Sequence, residues 1–180
     1  MRPRPTAAVL LGALTLLLAA CSSPSADPAA DLRRQAASID AAAQEVLTAL
    51  QSAGFTEASA RGIVDACQSE PAPGVAYRAG VTAKIGDAPE DAFETLLGEL
   101  DANGWQQKGE DAGAADMPAR FTRDGLMLDI KSGGFTVGDT AYGADELALG
   151  ITHVDGCVRV PDGGYISKVR DLEKQITPAG

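Results

Sequence analysis

Tyr77-Arg78-Ala79-Gly80-Val81-Thr82-Ala83-Lys84-Ile85 is the stretch of the chain that decides the fold. Its apolar residues occupy every second position and alternate with Arg78, Gly80, Thr82 and Lys84. Successive side chains of a β-strand point to opposite faces, so this alternation predicts a strand with one buried face. Such a strand needs neighbouring strands and a second layer over its apolar face.

Two amphipathic helices are predicted to supply that layer. The first begins at Asp27-Pro28, an N-cap carboxylate followed by proline, and the second at Asp87-x-x-Glu90, a capping-box pattern. Both end on a leucine, a glycine four residues later and then an aromatic residue, a pattern typical of a left-handed C-terminal cap. Their apolar stripes are Leu32, Ala36, Ile39, Ala43, Val46 and Leu50, and then Ala92, Phe93, Leu96, Leu97 and Leu100.

The stripe of the first helix also fits a heptad repeat, so a coiled-coil partner is an alternative. Two of its six positions are Ala36 and Ala43, which would make a thin coiled-coil seam. We therefore expect this helix to pack on the protein's own sheet.

The remaining elements are predicted to be short strands and one further helix. Residues 63–67, 121–123, 126–130, 135–137, 147–151 and 157–160 have strand character, and Asp124-Gly125 favours a type I′ hairpin turn. Residues 106–118 lack periodicity and are expected to form a loop. Apolar residues from Tyr165 to Ile176 have helical spacing. The predicted fold is α+β: a two-layer sandwich of an antiparallel sheet, two main helices packed on it and a short C-terminal helix.

The N-terminus has the features of an export signal. Arg2 and Arg4 precede an apolar run over residues 7–20. As a helix, that run would cross only about two-thirds of a ~30 Å hydrocarbon core. It therefore predicts a signal peptide rather than a membrane span.

Leu18-Ala19-Ala20-Cys21, at the end of this run, resembles the lipobox of bacterial lipoproteins. The resemblance implies cleavage between Ala20 and Cys21 and attachment of diacylglycerol to the Cys21 thiol, with the freed amine as a second position for an acyl chain such as palmitate. It implies a cleaved signal peptide over residues 1–20, a lipidated N-terminus and tether over residues 21–30, and one extracytoplasmic domain over residues 31–180. The alternative is a secreted protein with an incidental cysteine.

The lipobox resemblance also implies where the protein is held, namely on the extracytoplasmic side of the cell membrane through the lipid on Cys21. The rest of the chain is similar to small actinobacterial lipoproteins of uncharacterised function that end on a Cys-Val strand, here Cys157-Val158. That second likeness implies no activity.

The cysteine count supports an exported protein. If Cys21 carries lipid, Cys67 and Cys157 remain, and an even pair in an exported protein predicts a disulfide. A zinc pair or a catalytic thiol are the alternatives. Neither cysteine belongs to a Cys-x-x-Cys pattern, and His153 is the only histidine, so the disulfide is the favoured interpretation.

The charge of the chain restricts its partners. The formal net charge is −10, and removal of residues 1–20 would take away two arginines and no acid, giving −12. Nucleic acids and anionic membrane surfaces attract basic proteins, so the composition argues against both.

Few residues suggest catalysis or metal binding. An envelope hydrolase would have to use His153 as its base, with Asp155 as a candidate partner, and the chain lacks a Gly-x-Ser-x-Gly motif. Asp139, Asp145 and Glu146 lack the spacing of a calcium loop. We therefore predict neither a metal nor a cofactor, and no enzyme activity. The favoured function is a non-catalytic binding or accessory domain for an unknown envelope protein or ligand, and the alternative is a lipid or apolar-ligand carrier.

Overall fold

The computed structural model describes residues 26–70, 72–86, 89–108, 119–132, 136–137, 140–141, 143 and 145–178. These residues form an α+β sandwich, with helices against one face of an antiparallel sheet. The apolar side chains between the layers make one core. The fold class predicted from the alternation around Tyr77 is confirmed.

Two α-helices build the helical layer. Helix α1 spans Pro28–Ser52, and α2 spans Pro89–Ala102. The Asp27 carboxylate accepts a 3.0 Å hydrogen bond from the Ala30 amide, as predicted for the N-cap; Asp87 lies outside the described residues. All six residues of the predicted α1 stripe are buried in the protein's own core, which leaves no apolar seam for a coiled coil. Within the described residues, neither helix is both long and apolar enough to cross a membrane.

Both helices end in the same predicted cap. Gly54 and Gly104 adopt φ of +86° and +81°, in the left-handed region. The next amide in each case, that of Phe55 or Trp105, donates to the carbonyl oxygen of the leucine five residues earlier, at 3.0 and 2.9 Å. This is a Schellman motif, and it directs an aromatic side chain back under the last helical turn.

Ten strands occur within the described residues. The main sheet has the order β10-β1-β2-β8-β5-β4-β3, all antiparallel, with β9 paired to one end of β2, while β6 and β7 form a separate ribbon. The strands are β1 Thr56–Gln68, β2 Gly74–Lys84, β3 Gln106–Lys108, β4 Ala119–Arg123, β5 Leu126–Ser132, β6 Thr136–Val137, β7 Thr140–Ala141, β8 Glu146–His153, β9 Val158–Arg159 and β10 Lys174–Ile176.

The alternating stretch around Tyr77 is strand β2, and it lies between β1 and β8. Its apolar side chains from Val75 to Ala83 face the helices and are buried. Between β4 and β5, Asp124 and Gly125 have φ of +49° and +78°, which confirms the predicted type I′ turn. We call the opposite side of the sheet the outer face; the side chains there are half-buried or exposed.

Strand β1 is longer than predicted. The sequence indicated residues 63–67, whereas the strand begins at Thr56 and contains Gly62 in its interior. Glycine ordinarily weakens a strand interior. The role of Gly62 is steric: a Cβ atom there would lie 1.7 Å from the Tyr77 hydroxyl oxygen. Tertiary packing therefore requires the residue that locally disfavours a strand.

Two other predictions needed correction. Residues 106–108, expected to belong to a loop, form β3 against β4. The predicted short C-terminal helix consists of two 3₁₀ turns, Gly163–Lys168 and Arg170–Leu172, interrupted where Val169 adopts φ −122° and ψ 11°. The chain then becomes extended as β10, because the edge of β1 offers backbone hydrogen bonds at Ala60–Gly62.

The predicted disulfide is present. Cys67 and Cys157 are bonded, with their Cα atoms 5.8 Å apart. The bond joins the end of β1 to the residue before β9, across the end of β2. Gly74 lies beneath it, and a Cβ atom at that residue would lie 2.5 Å from the Cys157 sulfur. The disulfide therefore depends on the absence of a side chain on β2.

Candidate functional site

A cleft with a volume of about 490 Å³ opens at the end of the sandwich where α1 begins. The first turns of α1 form one wall, and the β8–β9 connection forms the other. The lining is mostly polar or charged and consists of Asp31, Arg34, Gln35, His153, Asp155, Cys157, Val158 and Arg159.

Local geometry explains why these residues meet. Asp31, Arg34 and Gln35 are three and four residues apart, so they share one side of α1. On the other wall, the chain turns sharply after His153, and the Gly156 amide donates to the His153 carbonyl oxygen at 3.1 Å. A Cβ atom at Gly156 would lie 3.0 Å from that oxygen, so glycine permits the tight turn.

The cleft presents polar groups of both signs. Arg34 pairs with Asp31 within the wall formed by α1. One nitrogen of Arg159 donates to the Ala72 carbonyl oxygen at 2.8 Å, which leaves further guanidinium donors for a ligand. The side-chain oxygen of Gln35 is buried and has no hydrogen-bond partner among the described residues. A buried acceptor without a donor is unfavourable.

His153 and Asp155 line the same cleft. They are the residues that the sequence suggested as a base and as its acidic partner. None of the described lining residues is a serine, threonine or tyrosine. The one cysteine among them, Cys157, is bonded through its sulfur to Cys67.

Of the residues considered for calcium, Asp145 and Glu146 lie within the described part of the chain. The Glu146 carboxylate accepts a 2.6 Å hydrogen bond from the Gly143 amide, and Asp139 lies outside the described residues. Within the part of the chain that the structure describes, no three acidic, His or Cys side chains are grouped to hold a metal ion.

A polar cluster that was not predicted from the sequence lies between the layers, with Tyr77 and Asp40 buried and the Lys174 side chain 58% exposed at its edge. The Tyr77 hydroxyl donates to Asp40 at 2.6 Å, and the Lys174 ammonium lies 2.7 Å from the other oxygen of the same carboxylate. Burial raises the pKa of Tyr77 well above its usual value, and the hydrogen bond to Asp40 and its negative charge add to this rise. The cluster joins α1, β2 and β10, so its role is to hold the layers together. The sequence signal for this cluster was Asp40, an acidic residue that directly follows Ile39 of the apolar stripe.

A second polar cluster fixes the far end of the helical layer. The Arg123 guanidinium lies 4.7 Å from the centre of the Trp105 ring, donates to the Asn103 carbonyl oxygen at 2.7 Å and pairs with Glu45 at 2.6 Å. These contacts join β4 to both helices. They are far along α1 from the cleft, so we assign them a structural role.

Comparisons of the chain with models of protein families, with curated protein sequences and with solved structures find no match. The protein can therefore be classified by its architecture alone: it is an α+β sandwich with one disulfide and a polar cleft at one end. Cys21, the predicted lipidation site, lies outside the described residues.

Proposed function

We propose that this protein is a lipid-anchored lipoprotein of the cell envelope, and that its extracytoplasmic domain is a non-catalytic binding domain. The main support for a binding domain is the cleft of about 490 Å³ between α1 and the β8–β9 connection. Its volume suits a small molecule or the end of a larger one, since ligand pockets commonly measure about 300–1,000 Å³.

The polar groups of the cleft suggest the chemistry of its ligand. Asp155 attracts an ammonium group, whereas Arg34 and Arg159 attract a carboxylate or phosphate with the guanidinium donors that their bonds to Asp31 and Ala72 leave over. A zwitterion, with an ammonium and an anionic group on one small framework, satisfies both requirements. This polar lining does not favour the alternative of an apolar-ligand carrier.

The position of the cleft fits an anchor on Cys21. Asp27, the N-cap of α1, lies six residues after Cys21, and six residues span at most about 21 Å when fully extended. Asp31 and Gln35, on the next two helical turns, line the cleft. An anchor at Cys21 would therefore keep the cleft close to the membrane surface.

The anchor is tested by replacing Cys21. We expect Cys21→Ala to abolish lipid attachment, so that the protein leaves the membrane fraction or stays as an unprocessed precursor, because alanine has no thiol to alkylate. The neighbouring substitution Ser22→Ala is the control and should leave both properties unchanged. Cell fractionation and intact mass measure the outcome; a mature-sized, membrane-bound Cys21→Ala protein would contradict the anchor.

The cleft is tested with a charge-neutral double variant. Arg34→Gln/Asp155→Asn removes one charge of each sign from the lining, and we expect it to lower the occupancy of a co-purified zwitterion by about tenfold or more, the equivalent of one good charged hydrogen bond. Native mass spectrometry of protein extracted from its own membrane measures this occupancy.

The matched control is Arg33→Gln/Asp171→Asn, which removes an exposed ion pair of 3.9 Å outside the cleft. It should retain the ligand at the wild-type level. The binding function would be rejected if the wild-type protein carried no small molecule, or if both double variants retained it equally.

A further inference from the structure

The outer face of the sheet contains a groove that the cleft does not involve. Strand register places Gly80 beside Gly150, and Thr82 beside Ala148, at the centre of this face. Side chains of the neighbouring strands border these four residues on both sides, and Arg78 and Lys84 of β2 bound them at the two ends; we call the whole feature the outer groove. Its walls are Ser59, Arg61 and Ile63 on β1, and Met127, Asp129 and Lys131 on β5.

The outer groove has the width of an α-helix. Its walls stand on β1 and β5, which are three strand spacings apart in the order β1-β2-β8-β5. At 4.7–4.9 Å per spacing, the backbones of the two wall strands are about 14 Å apart. A helix with its side chains is about 10–12 Å across. A partner with a flat surface would touch only the walls of the outer groove, whereas a partner helix would also reach Gly80 and Gly150 on its floor.

The two glycines on the floor have no evident role within the chain. A Cβ atom at Gly150 would have nothing within 4 Å, and one at Gly80 would meet only the Ile63 side chain at 3.8 Å. Neither glycine has a positive φ. Glycine weakens a strand interior, and it is typical of places where another backbone approaches closely.

The charge of this face is opposite to that of the whole chain. Six cations point outward, whereas four acids accompany them, on a protein of net charge −10. The acids are already engaged: Asp65, Glu57 and Asp129 form ion pairs with three of the cations, and Glu146 accepts a backbone hydrogen bond. The cations are Arg61, Arg78, Lys84, Lys108, Arg120 and Lys131.

Three of these cations lack a carboxylate partner among the described residues, namely Arg61, Lys108 and Lys131. Arg61 and Lys131 stand on opposite walls of the outer groove. An occupant with carboxylates along both flanks would therefore find a cation on each side, in addition to a floor that admits its backbone.

We propose that the outer groove binds an acidic α-helix of a partner protein. Small residues of that helix lie over Gly80 and Gly150, and its carboxylates pair with Arg61 on one wall and Lys131 on the other. This is helix-in-groove recognition with an electrostatic component. The interaction is independent of the cleft and of the proposed anchor, since it uses the opposite face of the sheet.

A synthetic helix tests the proposal. The probe is a four-turn, end-capped peptide of alanine and glutamate, titrated into ¹⁵N-labelled full-length protein purified in detergent, with amide shifts as the readout. We expect the Gly80 and Gly150 amides to shift on binding. Arg61→Glu/Lys131→Glu should weaken binding about tenfold or more. Arg33→Glu/Lys168→Glu, a matched reversal away from the outer groove, should leave it unchanged.

Gly150→Leu separates blocking from unfolding. Because a Cβ atom at this residue has nothing within 4 Å and the outer face is half-buried or exposed, we expect the variant to unfold at a temperature no lower than the wild type and yet to lose peptide binding. Shifts confined to another surface, absence of shifts, or undiminished binding by Gly150→Leu would overturn the proposal. So would a stronger response of the same amides to phosphatidylglycerol vesicles, which would make the membrane the occupant.

Discussion

Gly62→Ala is expected to lower the free energy of unfolding by about 3–5 kcal/mol. The added methyl group would lie 1.7 Å from the Tyr77 hydroxyl oxygen and 2.5 Å from the ring carbon that bears it. Tyr77 is fully buried and cannot move into solvent. Overpacking a core typically destabilises by about 1–3 kcal/mol, and displacing the hydroxyl from Asp40 leaves a buried carboxylate short of a hydrogen bond, at about 1–3 kcal/mol more.

Urea unfolding followed by circular dichroism measures this loss. Gly150→Ala is the matched control, since it places the same methyl group on the same sheet in open space. We expect it to be neutral or to stabilise by about 0.5–1 kcal/mol, the usual advantage of alanine over glycine in a strand. A loss below about 1 kcal/mol for Gly62→Ala would show that Tyr77 has another position to occupy.

A double variant identifies the clash as the cause. Leucine at Tyr77 lacks the ring and the hydroxyl that the new methyl group would strike. The effects of Gly62→Ala and Tyr77→Leu should therefore combine to less than their sum. Strict additivity would mean that the two side chains act independently and that the close approach has no energetic consequence.

Cys67→Ala/Cys157→Ala is expected to lower the free energy of unfolding by about 4 kcal/mol. The bond closes a loop with a sequence separation of 90 residues, and the chain-entropy relation assigns about 4–5 kcal/mol to a loop of that length. The same bond holds the residue before β9 against the end of β1. Since Cys157, Val158 and Arg159 line the cleft, we expect its ligand to be lost together with this stability.

Gly74 provides the control for the disulfide. A methyl group at Gly74 would lie 2.5 Å from the Cys157 sulfur and 3.1 Å from that of Cys67. Gly74→Ala should therefore destabilise the oxidised protein by about 1–3 kcal/mol and have little effect in the Cys67→Ala/Cys157→Ala background. Denaturant unfolding is measured for the wild type, for Gly74→Ala, for Cys67→Ala/Cys157→Ala and for the variant that combines all three substitutions. An equal loss of unfolding free energy from Gly74→Ala in both backgrounds would exclude crowding of the disulfide as the cause.

Several structural features were predictable because they depend on a few consecutive residues. Asp27 caps α1 through the amide three residues later, Gly54 and Gly104 end the helices in a left-handed conformation, and Asp124-Gly125 makes a type I′ turn. Each is a local backbone preference with a specific residue requirement. The disulfide was predictable for a different reason, since only two cysteines remained once Cys21 was assigned to lipid.

Other features depend on distant residues and could not be predicted in the same way. β10 pairs with β1 more than a hundred residues earlier, so the helical spacing up to Ile176 was misleading. Gly62 is explained only by Tyr77, and the buried carboxylate of Asp40 only by Tyr77 and Lys174. Tertiary contacts override local propensity at these positions because the packing energies exceed the differences in propensity.

The candidate site shows the same division. His153 and Asp155 attracted attention because the chain has one histidine and an acid two residues later. The opposite wall, with Arg34 and the unpartnered oxygen of Gln35, had no signal, since polar residues on the first turns of a helix are ordinary surface residues. The cleft exists only because the start of α1 lies beside the β8–β9 connection.

The sequence by itself determined the α+β class, the C-terminal ends of both helices, the hairpin turn and the disulfide pair. Each of these follows from short-range periodicity, from local backbone geometry or from residue counts. Only the tertiary structure decided the strand order, the C-terminal strand, the close approach of Gly62 to Tyr77, the polar cleft and the outer groove. These features arise where residues far apart in the chain meet, and no local pattern encodes which of them will become neighbours.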